Sequence, residues 1–365
     1  MSFLRLAGPR QRPWSGAVAL PAEVAFLLAE GFDPALLARG VALARAAGTD
    51  AATALLHAGL IAEEAYYRAL ARALGAPFLD AFRFGPSLRF PDSLVLGAAP
   101  LAPGSGPPLV LAPRGAQIVE LLAGSAAGGR VPAITSPSLL RAGVFAAIPE
   151  AVAAEAADGL RVRSPEWSIG PRPLRHPLLL LALCLATLAC LHAALPPAAA
   201  LVAGGLAQVL FLAMTAFRLA ALGLDAPVDG GEAPPLPEAD LPTYSVVVAL
   251  YREARVVPRL VLALARLDYP ASRLDVTFVV EADDSETIAA LARAPFPSRF
   301  TVVAAPPGLP RTKPRALNVA LPLARGRHLV VYDAEDVPEP DQLRRAAAIF
   351  ARAPATVACL QGRLV

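Results

Sequence analysis

The chain has 365 residues, of which 56% are hydrophobic and 17% charged, with 33 basic against 30 acidic side chains and three cysteines. This balance excludes a disordered chain and a disulfide scaffold. The net charge of +3 is too small and too dispersed for a nucleic-acid binder. The length allows two or three domains. In chain order, Asp33-Pro34 reads as a helix start, with Asp as cap and Pro in the first turn. Thr49-Asp50 restarts a helix to about His57, which Gly59 ends. Ile61 to Leu74 predicts a third helix, with Tyr66, Tyr67, Leu70 and Leu74 at helical spacing as core. Leu109 to Leu122 reads as a strand and then a helix, a small α/β addition to a mainly helical N-terminal domain over 1–160.

The stretch ALLHAGLIAEEAYYRALARALGAPFLD, Ala54 to Asp80, resembles the N-terminal domain of type II secretion ATPases, the MshEN-like fold. Some members of that family bind cyclic di-GMP through an Arg-Leu-Gly opening, a Leu-Leu-x-x-Gly centre and a closing Gln. Leu55-Leu56-His57-Ala58-Gly59 matches the centre, but Asp50, Ala52 and Ala73 stand where Arg, Gly and Gln are expected. A carboxylate in place of the cation opposes a phosphate or guanine. The resemblance here implies a docking or stabilising module with weak or no affinity for cyclic di-GMP.

A linker over 161–177 leads to two apolar runs, Leu178 to Leu195 and Ala198 to Phe217, 18 and 20 residues without a formal charge. Helices of that length rise about 27–30 Å, close to the hydrocarbon thickness of a bilayer. Pro196-Pro197 forbids one continuous helix, so 178–222 is expected to be a two-helix transmembrane hairpin. Arg161, Arg163, Arg172 and Arg175 precede it and Arg218 closes it, whereas the turn carries no Lys or Arg. Positive flanks stay cytoplasmic. The expected location is the cell inner membrane, multi-pass, with both flanking domains on the cytoplasmic side and membrane lipid as a partner.

After a Pro/Gly/acid-rich linker over 223–242, strand and helix signals alternate. Strands are expected at Ser245–Leu250, Asp275–Val280, Phe300–Ala304, His328–Tyr332 and Thr356–Leu360. Helices are expected at Arg255–Leu267, Ser285–Arg293 with Ser285 as N-cap, Arg315–Leu323 and Asp341–Ala351. Such alternation predicts a mostly parallel sheet covered by helices, with ligands at the carboxyl ends of the strands. Three clusters fall there: Tyr251-Arg252-Glu253, Glu281-Ala282-Asp283-Asp284 and Asp333-Ala334-Glu335-Asp336. Crowded carboxylates repel one another, and oxygen-only donors select Mg2+ or Mn2+, which binds through one or two carboxylates plus substrate phosphates. No G-x-x-x-x-G-K-[ST] loop is present, so metal and side chains, rather than a glycine loop, are expected to hold phosphate.

Four segments in order, SVVVALYREA, VVEADDSET, TKPRALNVALPLARG and VVYDAEDVPEPDQL, make Thr243 to Val365 resemble the nucleotide-sugar half of a family 2 glycosyltransferase of the bacterial cellulose-synthase type. The resemblance implies an α/β GT-A (Rossmann-like) domain over 243–365, a nucleotide-sugar donor, most simply UDP-linked, and a polysaccharide or other acceptor. It places Tyr251 against the base and leaves Glu281 and Asp283 competing for the uridine contact, with Glu253 and Asp284 beside them. Lys313, the only lysine of the chain, falls at the diphosphate. Asp333 and Glu335 match the Asp-x-Asp metal motif, and Asp336 is a third candidate ligand. The family's later Thr-Glu-Asp base and Gln-x-x-Arg-Trp motif are not found before Val365, so this chain is expected to be part of a longer enzyme. A non-catalytic membrane regulator of a polysaccharide synthase is the alternative of a different class.

Overall fold

The computed structural model describes residues 20–104, 106–126, 132–168, 175–194, 196–223 and 233–362. Much of both expected linkers, 169–174 and 224–232, and Arg172 with them, lies outside the described residues. The chain divides into two compact units, one made of residues 1–159 with 233–365 and the other of 160–232.

The first unit opens with α1 (Ala22–Ala25), α2 (Pro34–Ala47), α3 (Ala51–His57) and α4 (Glu63–Ala73). Asp33 accepts a hydrogen bond from the Ala35 amide at 2.9 Å with Pro34 in the first turn, and Gly48, at φ 62°, closes α2. Asp50 accepts from Thr53 N at 2.8 Å and so caps α3. These helices bury Leu37, Val41, Leu55, Leu70, Tyr66 and Tyr67 in one core. The two phenols are core as expected, each donating to a backbone carbonyl, Glu23 O and Pro113 O. Beyond them come α5 (Asp92–Leu96), β1 (Ala98–Pro100), β2 (Leu109–Leu111), α6 (Ala116–Ala126), β3 (Ala133–Ile134), α7 (Pro137–Ala147) and α8 (Pro149–Arg163). β1 runs antiparallel and β3 parallel to β2, the small α/β addition. α8 continues to Arg163.

The second unit contains α9 (Arg175–Ala194) and α10 (Pro197–Gly223), separated at Pro196-Pro197. In α10, Pro197–Ala221 is long and apolar enough to cross a membrane, and none of its most apolar window is buried. The apolar part of α9, Pro177–Leu191, falls below that length, rising only about 22 Å against the roughly 30 Å required. Among the described residues one candidate span is therefore supported.

The chain then returns to the first unit with β4 (Tyr244–Leu250), α11 (Val257–Ala265), β5 (Leu274–Glu281), α12 (Ser285–Arg293), β6 (Phe300–Ala305), α13 (Lys313–Ala320), β7 (His328–Tyr332) and α14 (Gln342–Phe350). The four strands are all parallel, in the order β6-β5-β4-β7. Such a sheet needs cover on both faces. Val246, Val248, Val276 and Phe278 pack under α11 and α14. Val247, Val279 and Val303 pack against α13 and against Val110, Leu140, Val144 and Val152 of the N-terminal part. The N-terminal elements thus supply one layer of the α/β sandwich. Arg273 fastens the seam by donating to the carbonyls of Ala47, Gly48, Ala239 and Leu241. The cover stops short of β7, where Leu329 and Val331 stay 45% and 42% exposed.

Two local expectations are corrected. Thr356–Leu360 is not a strand, and β7 has no strand partner other than β4 among the described residues. The cap of α12 is Asp284 rather than Ser285, since the Asp284 carboxylate accepts from Thr287 N at 3.1 Å.

Candidate functional site

In a sheet ordered β6-β5-β4-β7, the connections leave β4 in opposite directions, so a crevice opens beyond the carboxyl ends of β4 and β7. The residues that follow these strands meet there. Tyr251 comes directly after β4 and is 42% exposed. Arg252 takes φ 58°, and its guanidinium lies 5.1 Å from the Tyr251 ring centroid. Asp283 follows β5 and pairs with Arg311 at 2.8 Å. Arg311 also donates to the Tyr251 hydroxyl, and Asp283 first and Tyr251 second raise its guanidinium pKa. Across the crevice the Lys313 ammonium sits on Asp333, both side chains being solvent-accessible. Base, diphosphate and metal candidates thus share one mouth.

Two expected substrate contacts are built into the frame instead. Glu281 is 5% exposed and bonds at 2.5 Å to Arg315, itself 2% exposed. Arg315 also donates to Pro306 O at 3.0 Å. This carboxylate faces inward and is not presented to the mouth, which leaves Asp283 as the accessible member of the pair. Asp284, 6% exposed, caps α12 with one oxygen and takes the Arg252 amide on the other at 2.5 Å. Glu253 joins the same frame through its amide, which donates to Thr287 Oγ1 at 3.0 Å. These bonds weld the loop after β4 to the start of α12 and hold Arg252 in its left-handed conformation.

Burial alone would raise the Asp284 carboxyl, but the Arg252 amide, the Thr287 hydroxyl and amide, and the Arg252 charge outweigh it and hold the pKa below its ordinary value of 3.8. A depressed carboxyl stabilises the fold fully above its unfolded pKa and loses that contribution as pH falls through the folded value. Asp284→Ala is expected to cost about 1–2 kcal/mol. It should also flatten the loss of thermal stability that the parent chain shows below about pH 4. Melting curves across pH 2–7 (roughly the carboxyl titration range) check both.

The three metal candidates are placed differently from one another. Among the described residues no three His, Cys, Asp or Glu side chains converge on one point. Asp336 turns back to accept from the Asp333 amide at 2.7 Å, shaping the turn after β7. Asp333 and Glu335 remain exposed. Their oxygen-only chemistry fits a magnesium or manganese ion held by one or two carboxylates and completed by a substrate's phosphates. Asp333 already accommodates a cation, the Lys313 ammonium.

The family model described as glycosyltransferase like family 2 matches residues 242–364. This segment is a glycosyltransferase family 2 domain. Among solved structures, the chain is similar to the mannosyltransferase PcManGT from Pyrobaculum calidifontis in complex with GDP-Man and Mn2+. That likeness has 30% identity over 42% of this chain and 43% of that chain, with a TM-score of 0.32. It is also similar to S. aureus TarS 1-349, at 25% identity over 30% of this chain and 32% of that chain, with a TM-score of 0.27. The chain spans less than half the length of either. A search of curated proteins gives no match.

Within the glycosyltransferase domain, sequence reasoning missed Arg311, Thr287 and Arg315. The alternation Arg311-x-Lys313-x-Arg315 was visible around the lone lysine. Nothing in it distinguished a basic group at the mouth (Arg311, Lys313) from one pointing into the core (Arg315).

Proposed function

We propose that the chain is the donor-binding part of a membrane-attached glycosyltransferase that transfers a sugar from a nucleoside diphosphate sugar, most simply a UDP-sugar, to a polysaccharide or other hydroxyl acceptor. The observation that carries the reading is the pairing of Lys313 with Asp333 across the β4/β7 crevice, inside a segment that matches a glycosyltransferase model. Tyr251 offers a face to the base and Asp283 a carboxylate to its polar edge. Lys313, with Arg311 beside it, meets the diphosphate. Asp333 and Glu335 hold the divalent ion, which when bound neutralises charge developing on the departing diphosphate. In the reaction an acceptor hydroxyl attacks the sugar C1, the bond from C1 to the diphosphate oxygen breaks, and the hydroxyl proton leaves to a base. We assign no residue of this chain as that base.

α10 anchors the enzyme in the inner membrane, and the arginine-rich flanks keep the glycosyltransferase domain and the N-terminal elements cytoplasmic. The N-terminal part serves as a docking and stabilising layer. The test is the purified full chain in detergent with radiolabelled UDP-sugar. We expect retention of UDP, and its release if turnover occurs, to require Mn2+ or Mg2+ and to vanish with EDTA. Retention indifferent to metal would overturn the reading.

A further inference from the structure

A cavity of about 700 Å3 lies on the opposite side of the sheet from the donor crevice in strand direction, at the amino ends of the strands, between them and the N-terminal layer. Ser245, Asp275, Thr277 and Thr301 line it. They lie on the same sheet face as Val247 and Val279 further along the strands, which are fully packed. Ser245 and Leu250 are five residues apart on β4, so the cavity and the donor mouth stand about 17 Å apart. A buried sheet face that turns polar only where it borders a void is built for a polar occupant.

The charges of the lining are unequal. Asp275 is engaged by His57 at 3.4 Å and by Arg325 at 3.5 Å. Asp50 is occupied in capping α3. The remaining carboxylate, Glu63, accepts from the Ser138 amide at 3.3 Å. Against it stand two guanidiniums, Arg114 and Arg141. No carboxylate lies within ion-pair distance of either of them among the described residues. Arg114 meets the Tyr67 hydroxyl, whereas Arg299 donates to Ala265 O at 3.4 Å, at the end of α11 on the other face of the sheet. Burial lowers the pKa of both Arg114 and Arg141, against a smaller raising pull from Glu63, yet an arginine stays charged in a protein. Cations without a direct ion-pair partner in a desolvated wall are costly, and guanidinium forks match phosphate oxygens in geometry.

We propose that this cavity is a second, metal-independent binding site for a phosphorylated small molecule of up to nucleotide size, held by Arg114 and Arg141 at the seam of the N-terminal layer and the glycosyltransferase sheet. Its ligand touches both layers and so tightens the seam. The site does not depend on the donor reading.

The test uses the full chain in detergent, with EDTA present so that metal-dependent binding at the donor mouth is silent. Pyrophosphate is expected to raise the melting temperature, and sulfate at equal ionic strength to do so far less. Arg141→Gln should abolish the pyrophosphate shift and weaken binding in calorimetry at least tenfold, and Arg114→Gln should do the same. Because each removes an unpaired cation, the ligand-free melting temperature should hold or rise, which separates lost binding from lost folding. Asp333→Ala should leave the shift intact. No shift in the parent chain, an equal shift with sulfate, persistence in both arginine variants, or loss in Asp333→Ala would each overturn the proposal.

Discussion

Asp333→Ala is expected to lower sugar transfer, or metal-dependent retention of UDP where turnover is absent, by about 10²–10³-fold, the usual effect of deleting one preorganised group that faces developing charge. The argument rests on position. Asp333 follows β7 at the crevice edge, is open to solvent, and is the carboxylate on which a cation already sits. Lys313→Ala should give a different signature. Under the proposed function it removes a charge that meets the donor diphosphate but no metal ligand, so donor affinity should fall while the dependence on Mn2+ persists. It also frees Asp333 from competition with the ammonium, so the half-saturating metal concentration should fall. Titrating metal against UDP retention in the two variants separates the roles. Equal retention in parent and Asp333→Ala at saturating metal would remove Asp333 from the site.

Replacing either member of the buried pair Glu281–Arg315 singly, by Met, is expected to destabilise the first unit by about 3–5 kcal/mol, because the partner is left as an uncompensated buried charge. Both side chains are nearly inaccessible, and Arg315 also ties down Pro306 in the loop after β6. The double replacement by Met should recover most of the loss, since a well-packed apolar pair of similar volume is often as stable as the ion pair. Thermal melts read the difference as a drop of roughly 6–20 °C for each single variant, with the double variant near the parent. If Glu281→Gln left the melt unchanged and instead weakened UDP binding, Glu281 would return to the donor site and Asp283 would lose its place there.

Much of this architecture is legible from residue order because its signals are local. Asp33-Pro34 and Asp50 name their helices in advance through caps that need only the next three amides. The strands of the sheet follow from short apolar runs, and His328–Tyr332 carries the expected bounds. The acidic clusters are recognisable as loop residues after strands, but their division of labour is not. Whether a carboxylate in Glu281-Ala282-Asp283-Asp284 turns inward, outward or onto a backbone amide depends on strand phase and on partners thirty residues away, Arg252, Arg311 and Arg315. The Asp33 type of cap can be read from the chain, whereas the Asp284 type is settled by which loop comes to lie against it. The N-terminal layer shows the same limit. Its apolar residues announce a core, but nothing in their spacing says that Val144 and Val152 cover a sheet built a hundred residues later. The membrane segment is legible as apolar runs, of which Pro197–Ala221 has spanning length among the described residues.

The outer border of β7 has one further consequence. Its amides and carbonyls on that side meet no neighbouring strand among the described residues, and Leu329 and Val331 stand beside them uncovered. No proline, lysine or bulge guards this rim. A flat, oily ribbon of open hydrogen-bonding positions is a template onto which any extended polypeptide can add. Handled alone at high concentration, the protein carries a built-in route to aggregation along the strand that leads into Asp333.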